Sequence, residues 1–196
     1  MTDQEIKILW EEFHVPKNIQ KHMEKVSEIA VRLGKKLIDR GVPVDLKLLR
    51  QAGLVHDLTK IIACFDNLNS FEDSVKVCDL EAWNKLKERY DGMTDPEITA
   101  LVLNQRSENK LADIVRKHHF TSVVEPGNEP KTWEEKVLYY ADKLVMHDKE
   151  VTLKQRLRDL DKRYSADGNV PDNIKEAKKR AAQIEEEIEG KLNQTV

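Results

Sequence analysis

The 196-residue chain lacks most of the features that declare a function outright. Its two cysteines, Cys64 and Cys78, form neither a CxxC zinc pattern nor a disulfide framework. No stretch approaches the roughly 20 apolar residues that span a bilayer. The acidic opening, MTDQEIKILWEEF, does not read as a signal peptide. A protein of the reducing cytoplasm, away from membranes, is expected. Net charge is −3, so there is no global basic footprint and nucleic acid is not an expected partner. Walker loop, GxSxG elbow and dinucleotide fingerprint are all missing, as are internal repeats and low-complexity tracts. No alternating β-branched run demands a strand; VKVCDL (75–80) comes nearest.

What is present is helical. Charged residues make up 35% and hydrophobic residues 39%, enough apolar material for one sizeable core. Ile6, Leu9, Trp10 and Phe13 share one face of a short N-terminal helix. Ile19, Met23, Val26, Ile29, Ala30, Leu33 and Leu37 recur at three- and four-residue steps between Asn18 and Arg40, with Gly41 as a stop. Asp45 is placed as the N-cap of a third helix with Leu48, Leu49, Ala52 and Val55 inward. Short helices are expected over 71–77 and 80–89, and Asp91-Gly92 marks a turn. Asp95, followed by Pro96, is read as an N-cap, and Ser107 as the cap of the helix carrying Leu111, Ile114, Val115 and His118. Residues 121–131, with two prolines and a glycine, read as a loop. Thr132 and Glu135 form a capping box ahead of Tyr139, Tyr140 and Asp142. Leu153, Leu157, Leu160 and Tyr164 mark one more helix. The expected division is a helical domain over 1–165 and a C-terminal helix over 166–196. The narrow stripe of that helix, from Ile174 to Leu192, packs on its own domain or on a partner.

A His-Asp dipeptide is cheap evidence, and the chain holds two. His147-Asp148 lies in the charged stretch VMHDKEV, where water solvates it readily. His56-Asp57 instead follows the apolar run Ala52 to Val55, where a carboxylate is costly unless a charge or a metal compensates it.

The segment AGLVHDLTK (52–60) resembles the signature of the HD-domain superfamily of metal-dependent phosphohydrolases. Its members carry an earlier histidine on a helix, the His-Asp pair, and a distant aspartate. Here those places hold His22 in IQKHMEKV, His56-Asp57, and Asp142 in LYYADKLV. The resemblance covers roughly residues 15–165. It implies an all-α, bundle-like HD fold with a C-terminal helical extension, and an enzyme that cleaves a phosphoester of a nucleotide or another small phosphorylated metabolite. Two imidazoles and two carboxylates suit one divalent ion among Mn, Fe, Co, Ni and Zn, and Mg less readily. Lys60 stands where the family places a lysine on the substrate phosphate, although a cation at a helix C-terminus needs no such role.

Some family members hold a second metal through two further histidines. His118 or His119, in DIVRKHHF, matches the later one, while Asp95 stands at the place of the earlier. That departure favours one metal and leaves His118 to contact the phosphate or protonate the leaving oxygen. Asp57, Lys60 and His118 are therefore the catalytic candidates. Asp95, His118 and His119 are the candidates for a second metal or for substrate. Two other readings stay open: a dinuclear dinucleoside polyphosphate hydrolase or cyclic phosphodiesterase, and a non-catalytic, nucleotide-sensing or metal-stabilised helical module. Arg106, Arg116 and Lys117 form a modest basic group near the site. The segments 61–94 and 121–131 are expected to set specificity. A homo-oligomer is compatible with all of this.

Overall fold

The protein, seen here in a computed structural model, is described over residues 1–63, 77–164 and 169–194. The chain order is α1 (Asp3–Glu12), α2 (Lys17–Ile38), α3 (Leu46–Val55), α4 (Lys60–Ala63), α5 (Val77–Arg89), α6 (Asp95–Gln105), α7 (Asn109–Arg116), a 3₁₀ segment (Phe120–Val124), α8 (Trp133–Lys143), a hairpin of β1 (Val145–Met146) and β2 (Lys149–Glu150), α9 (Leu153–Tyr164) and α10 (Asp172–Leu192). The all-helical expectation holds, apart from that two-residue hairpin, which is too short to leave a period in the sequence.

The long helix α2 is the spine. Its stripe from Ile19 through Leu37 is buried, and it packs most extensively on α3 and then on α8. A close approach fixes the first of these contacts. A Cβ added at Gly53 would lie 2.4 Å from the Cα of Ser27, so α3 meets α2 backbone to backbone. The Ser27 hydroxyl donates to the Arg50 carbonyl at 2.9 Å in the same contact. Side-chain caps set the starts of α3 and α8. Asp45 accepts from the Leu48 amide at 2.9 Å, and Thr132 and Glu135 form the expected capping box on α8.

Three boundaries differ from the sequence reading. Thr94, not Asp95, is the N-cap of α6, paired reciprocally with Glu97. Asp95 becomes the first helical residue and turns its side chain inward. Ser107 does not cap α7 with its side chain; it sits at φ 62° and reverses the chain after α6, and Glu108 takes the cap position. Residues 121–124, the first part of the expected loop, belong to the 3₁₀ segment, and the loop begins only at Glu125. Of the helices expected over 71–77 and 80–89, one runs from Val77 to Arg89, and 64–76 lie outside the described residues. The weak strand candidate at 75–80 is helical from Val77 onward.

On α10, Ile174, Ala177, Ala181, Ile184 and Ile188 are buried, chiefly against the 3₁₀ segment and α8. Polar links seal the same contact: the Tyr140 hydroxyl meets Glu185 at 2.8 Å, and Lys136 pairs with Glu187. No helix among the described residues is long and apolar enough to cross a membrane.

Candidate metal centre

The site draws on α2, the end of α3, the turn that follows it, and α8. His22 stands in the second turn of α2. His56 is the C-cap of α3, and Asp57 follows in the turn before α4. Asp142 projects from the last turn of α8. All four are buried, with relative exposures of 8%, 0%, 3% and 7%. His118, at the link between α7 and the 3₁₀ segment, joins them at 3%. The His22 and His56 ring centroids are 5.3 Å apart, and those of His56 and His118 are 4.9 Å apart.

Each imidazole is oriented by a backbone carbonyl. Nδ1 of His22 donates to the His147 carbonyl at 2.8 Å, that of His56 to Gly53 at 2.9 Å, and that of His118 to Val115 at 2.7 Å. With the proton on Nδ1, the neutral ring presents the Nε2 lone pair, as a metal ligand requires. All three Nε2 atoms point at carboxylate oxygens. His22 Nε2 is 3.1 Å from Asp142 Oδ1 and 3.5 Å from Asp57 Oδ2. His56 Nε2 is 3.6 Å from both of those oxygens. His118 Nε2 is 3.3 Å from Asp57 Oδ1.

Lone pairs facing lone pairs in a buried place need a cation between them. His56 Nε2 makes the case most sharply, because it is fully buried and has no hydrogen-bond partner among the described residues. Ligand atoms of His22, His56 and Asp142 lie within 4.8 Å of one another, and those of His56, Asp57 and His118 form a second such group. The donor set of imidazole nitrogen and carboxylate oxygen fits a divalent ion.

Two lysines supply the local positive charge. Lys60, half-buried one turn beyond Asp57, pairs with Asp57 Oδ2. Lys143, buried, donates to Asp142 Oδ2 at 2.7 Å. Burial pushes both carboxyls upward, but the adjacent ammonium groups, Lys60 at Asp57 and Lys143 at Asp142, hold them well below the usual carboxylate range. Burial works against the Lys60 charge, yet Asp57 and Asp142 outweigh it and raise that lysine above its ordinary value. Lys143 goes the other way, because its deeper burial pulls it down despite Asp142.

Asp95 does not join the ligand groups among the described residues. Its Oδ1 accepts from the Thr59 amide at 3.2 Å and from the Thr59 hydroxyl at 2.7 Å. It therefore ties the turn carrying Asp57 to α6. Burial and the Asp57 charge raise its carboxyl above the usual range. His119 is exposed and caps the 3₁₀ segment, accepting from the Thr121 amide. Of the basic group expected nearby, Arg106 is paired with Glu12 at 2.5 Å and Lys117 with Glu135 at 2.6 Å. Neither of these is free to draw in an anion. His147 and Asp148 are exposed, as read, but the His147 carbonyl serves His22.

Two features were missed in the sequence. Lys143 follows Asp142 directly, and its place in a buried turn after Tyr139-Tyr140 was a usable signal. The carbonyls that hold the rings were not legible, because any residue can supply a backbone oxygen.

Helical packing around a buried His/Asp cluster defines a domain able to hold a divalent ion. The HD domain model matches residues 19–147, well over half of the chain, and the protein belongs to that family. Its members are in general metal-dependent hydrolases. The chain is also similar to an uncharacterized protein of Methanocaldococcus jannaschii, 26% identical over 157 residues, which cover 74% of this chain and 77% of that one. No solved structure matches.

Proposed function

We propose that this protein is a metal-dependent phosphohydrolase acting on a phosphoester of a nucleotide or another small phosphorylated metabolite. His22, His56, Asp57 and Asp142 hold one divalent ion in this reading. The observation that carries it is His56 Nε2, a buried lone pair set between two carboxylate oxygens with no other partner among the described residues. A bound divalent ion supplies an ionised water near neutral pH and polarises a phosphoryl oxygen. Asp142 would offer Oδ1 to that ion while Oδ2 stays with Lys143, whereas Asp57 turns toward the two histidines the same Oδ2 that Lys60 holds. Lys60, the more exposed of the two lysines, contacts the phosphate. His118, when its ring carries a proton on both nitrogens, would give the Nε2 proton to the leaving oxygen, its Nδ1 staying committed to Val115.

Elemental analysis of the purified protein, followed by phosphatase and phosphodiesterase panels with each metal restored, tests the reading. About one metal per chain is expected, with turnover that disappears in D57A along with the metal. Survival of both in D57A sinks it. The grouping of His56, Asp57 and His118 favours a second reading, a dinuclear site in which Asp57 and His118 would help to hold a second ion. Two metals per chain would decide for that alternative.

A further inference from the structure

The face of α8 that meets the 117–122 segment carries polar groups at a helical repeat of four. Glu135 accepts from Lys117 Nζ at 2.6 Å, the Tyr139 hydroxyl donates to the Phe120 carbonyl at 3.0 Å, and Lys143 Nζ donates to the His118 carbonyl at 2.5 Å. Positions i, i+4 and i+8 lie on one face of a helix, so the three act as a ladder that fastens this segment to α8. Its last rung differs from the others. Lys143 Nζ also donates to Asp142 Oδ2 at 2.7 Å and lies 4.3 Å from the centre of the Tyr139 ring. A buried ammonium is expensive unless it is paired and hydrogen-bonded, and this one has an anion, a carbonyl and an aromatic face.

We propose that Lys143 is a positioning residue that sets two members of the metal centre at once. By taking Asp142 Oδ2, it turns Oδ1 alone toward His22 and His56. By holding the His118 carbonyl, it fixes the link from which the His118 ring reaches Asp57. Lys143 touches neither the ion nor the substrate. The proposal rests on the reading above, in which Asp142 is a metal ligand and His118 acts on the phosphate.

The test is calorimetric titration of Mn²⁺ into the full-length chain stripped of metal with chelator, for the wild type, K143M and K143R. K143M keeps the volume and removes the charge and the donors. Partners of metal ligands typically contribute about 10–100-fold to affinity, and a loss in that range is expected for K143M, with K143R restoring most of it. Circular dichroism establishes that each variant is folded at the titration temperature. Two readouts separate positioning from mere support of the fold: Mn²⁺ affinity of the folded variant, and inorganic phosphate affinity of its Mn²⁺-saturated form. Both weaken if Lys143 orients Asp142 and His118.

If K143M binds Mn²⁺ as tightly as the wild type, or more tightly because a nearby positive charge has gone, Lys143 is only a countercharge and the proposal fails. If neither variant folds, Lys143 is a core strut and the proposal fails as well. If the wild type itself takes up no divalent metal, the metal reading falls, which the wild-type titration alone reveals.

Discussion

At the scale of single residues, His118 separates one metal from two. It shares Asp57 with the ligand cluster, but through Oδ1, while His22 and His56 approach Oδ2. If its task is proton delivery, H118N leaves Mn²⁺ affinity nearly intact and lowers turnover by about 10²–10⁴. If it is a ligand, the variant loses metal as well; parallel calorimetry and single-turnover assays tell the two apart. The candidate ligands could be read in the sequence because their identity is chemical: an imidazole or a carboxylate on an apolar helix needs a reason to be there. Asp95 was misassigned for a local reason. Thr94, Pro96 and Glu97 surround it, and the threonine with the glutamate three residues on is the capping-box signal. Once Thr94 takes the cap, Asp95 is left facing inward to Thr59, a contact 36 residues away that no local pattern encodes.

At the scale of elements, the approach of α3 to α2 at Gly53 decides whether His22 and His56 can meet. G53A forces a methyl against the Ser27 backbone. A loss of about 1–3 kcal/mol is expected from such overpacking, measured by urea denaturation, together with weaker metal binding as His56 shifts with the Gly53 carbonyl. The start of α8 carries a pH dependence. Burial alone would raise the Glu135 carboxyl, but the Lys117 ammonium and the amides of Lys131 and Thr132 hold it below its ordinary value of 4.5. A depressed carboxyl stabilises the fold above that ordinary value, and the contribution is lost as pH falls through the lower, folded value. E135Q is therefore less stable than the wild type at pH 7 by about 1–3 kcal/mol, and the gap narrows on acidification below pH 4.5. Thermal melts across that range check the sign. The long helices and the capping box of α8 were legible from period and caps. The 3₁₀ segment was not, because it is held from outside its own stretch of chain, by the Tyr139 hydroxyl on the Phe120 carbonyl at 3.0 Å.

At the scale of the whole molecule, the centre lies among α2, α3 and α8, which pack directly on one another, so metal binding and global stability are linked. A ligand at about 100 times its dissociation constant adds about 2.7 kcal/mol. For a chain of this size that is a rise of about 5–10 °C in Tm, reversed by chelator, and scanning calorimetry with and without Mn²⁺ measures it. A metal-independent Tm would mean that the cluster holds no ion in the native state. The bond from His22 to the His147 carbonyl spans 125 residues and joins nearly the two ends of the family match. It has a consequence for the order of events during synthesis. His22 leaves the ribosome early, but neither Asp142 nor the carbonyl that sets the His22 tautomer exists until almost the whole domain has been made. A growing chain, or one that stops short of the β1–β2 hairpin, offers imidazoles without their final acceptor and lacks a complete set of oxygens. If the cluster holds the ion proposed above, its loading is expected only once the domain is built, and a chain that stops before the hairpin is expected to bind Mn²⁺ more weakly than the whole domain.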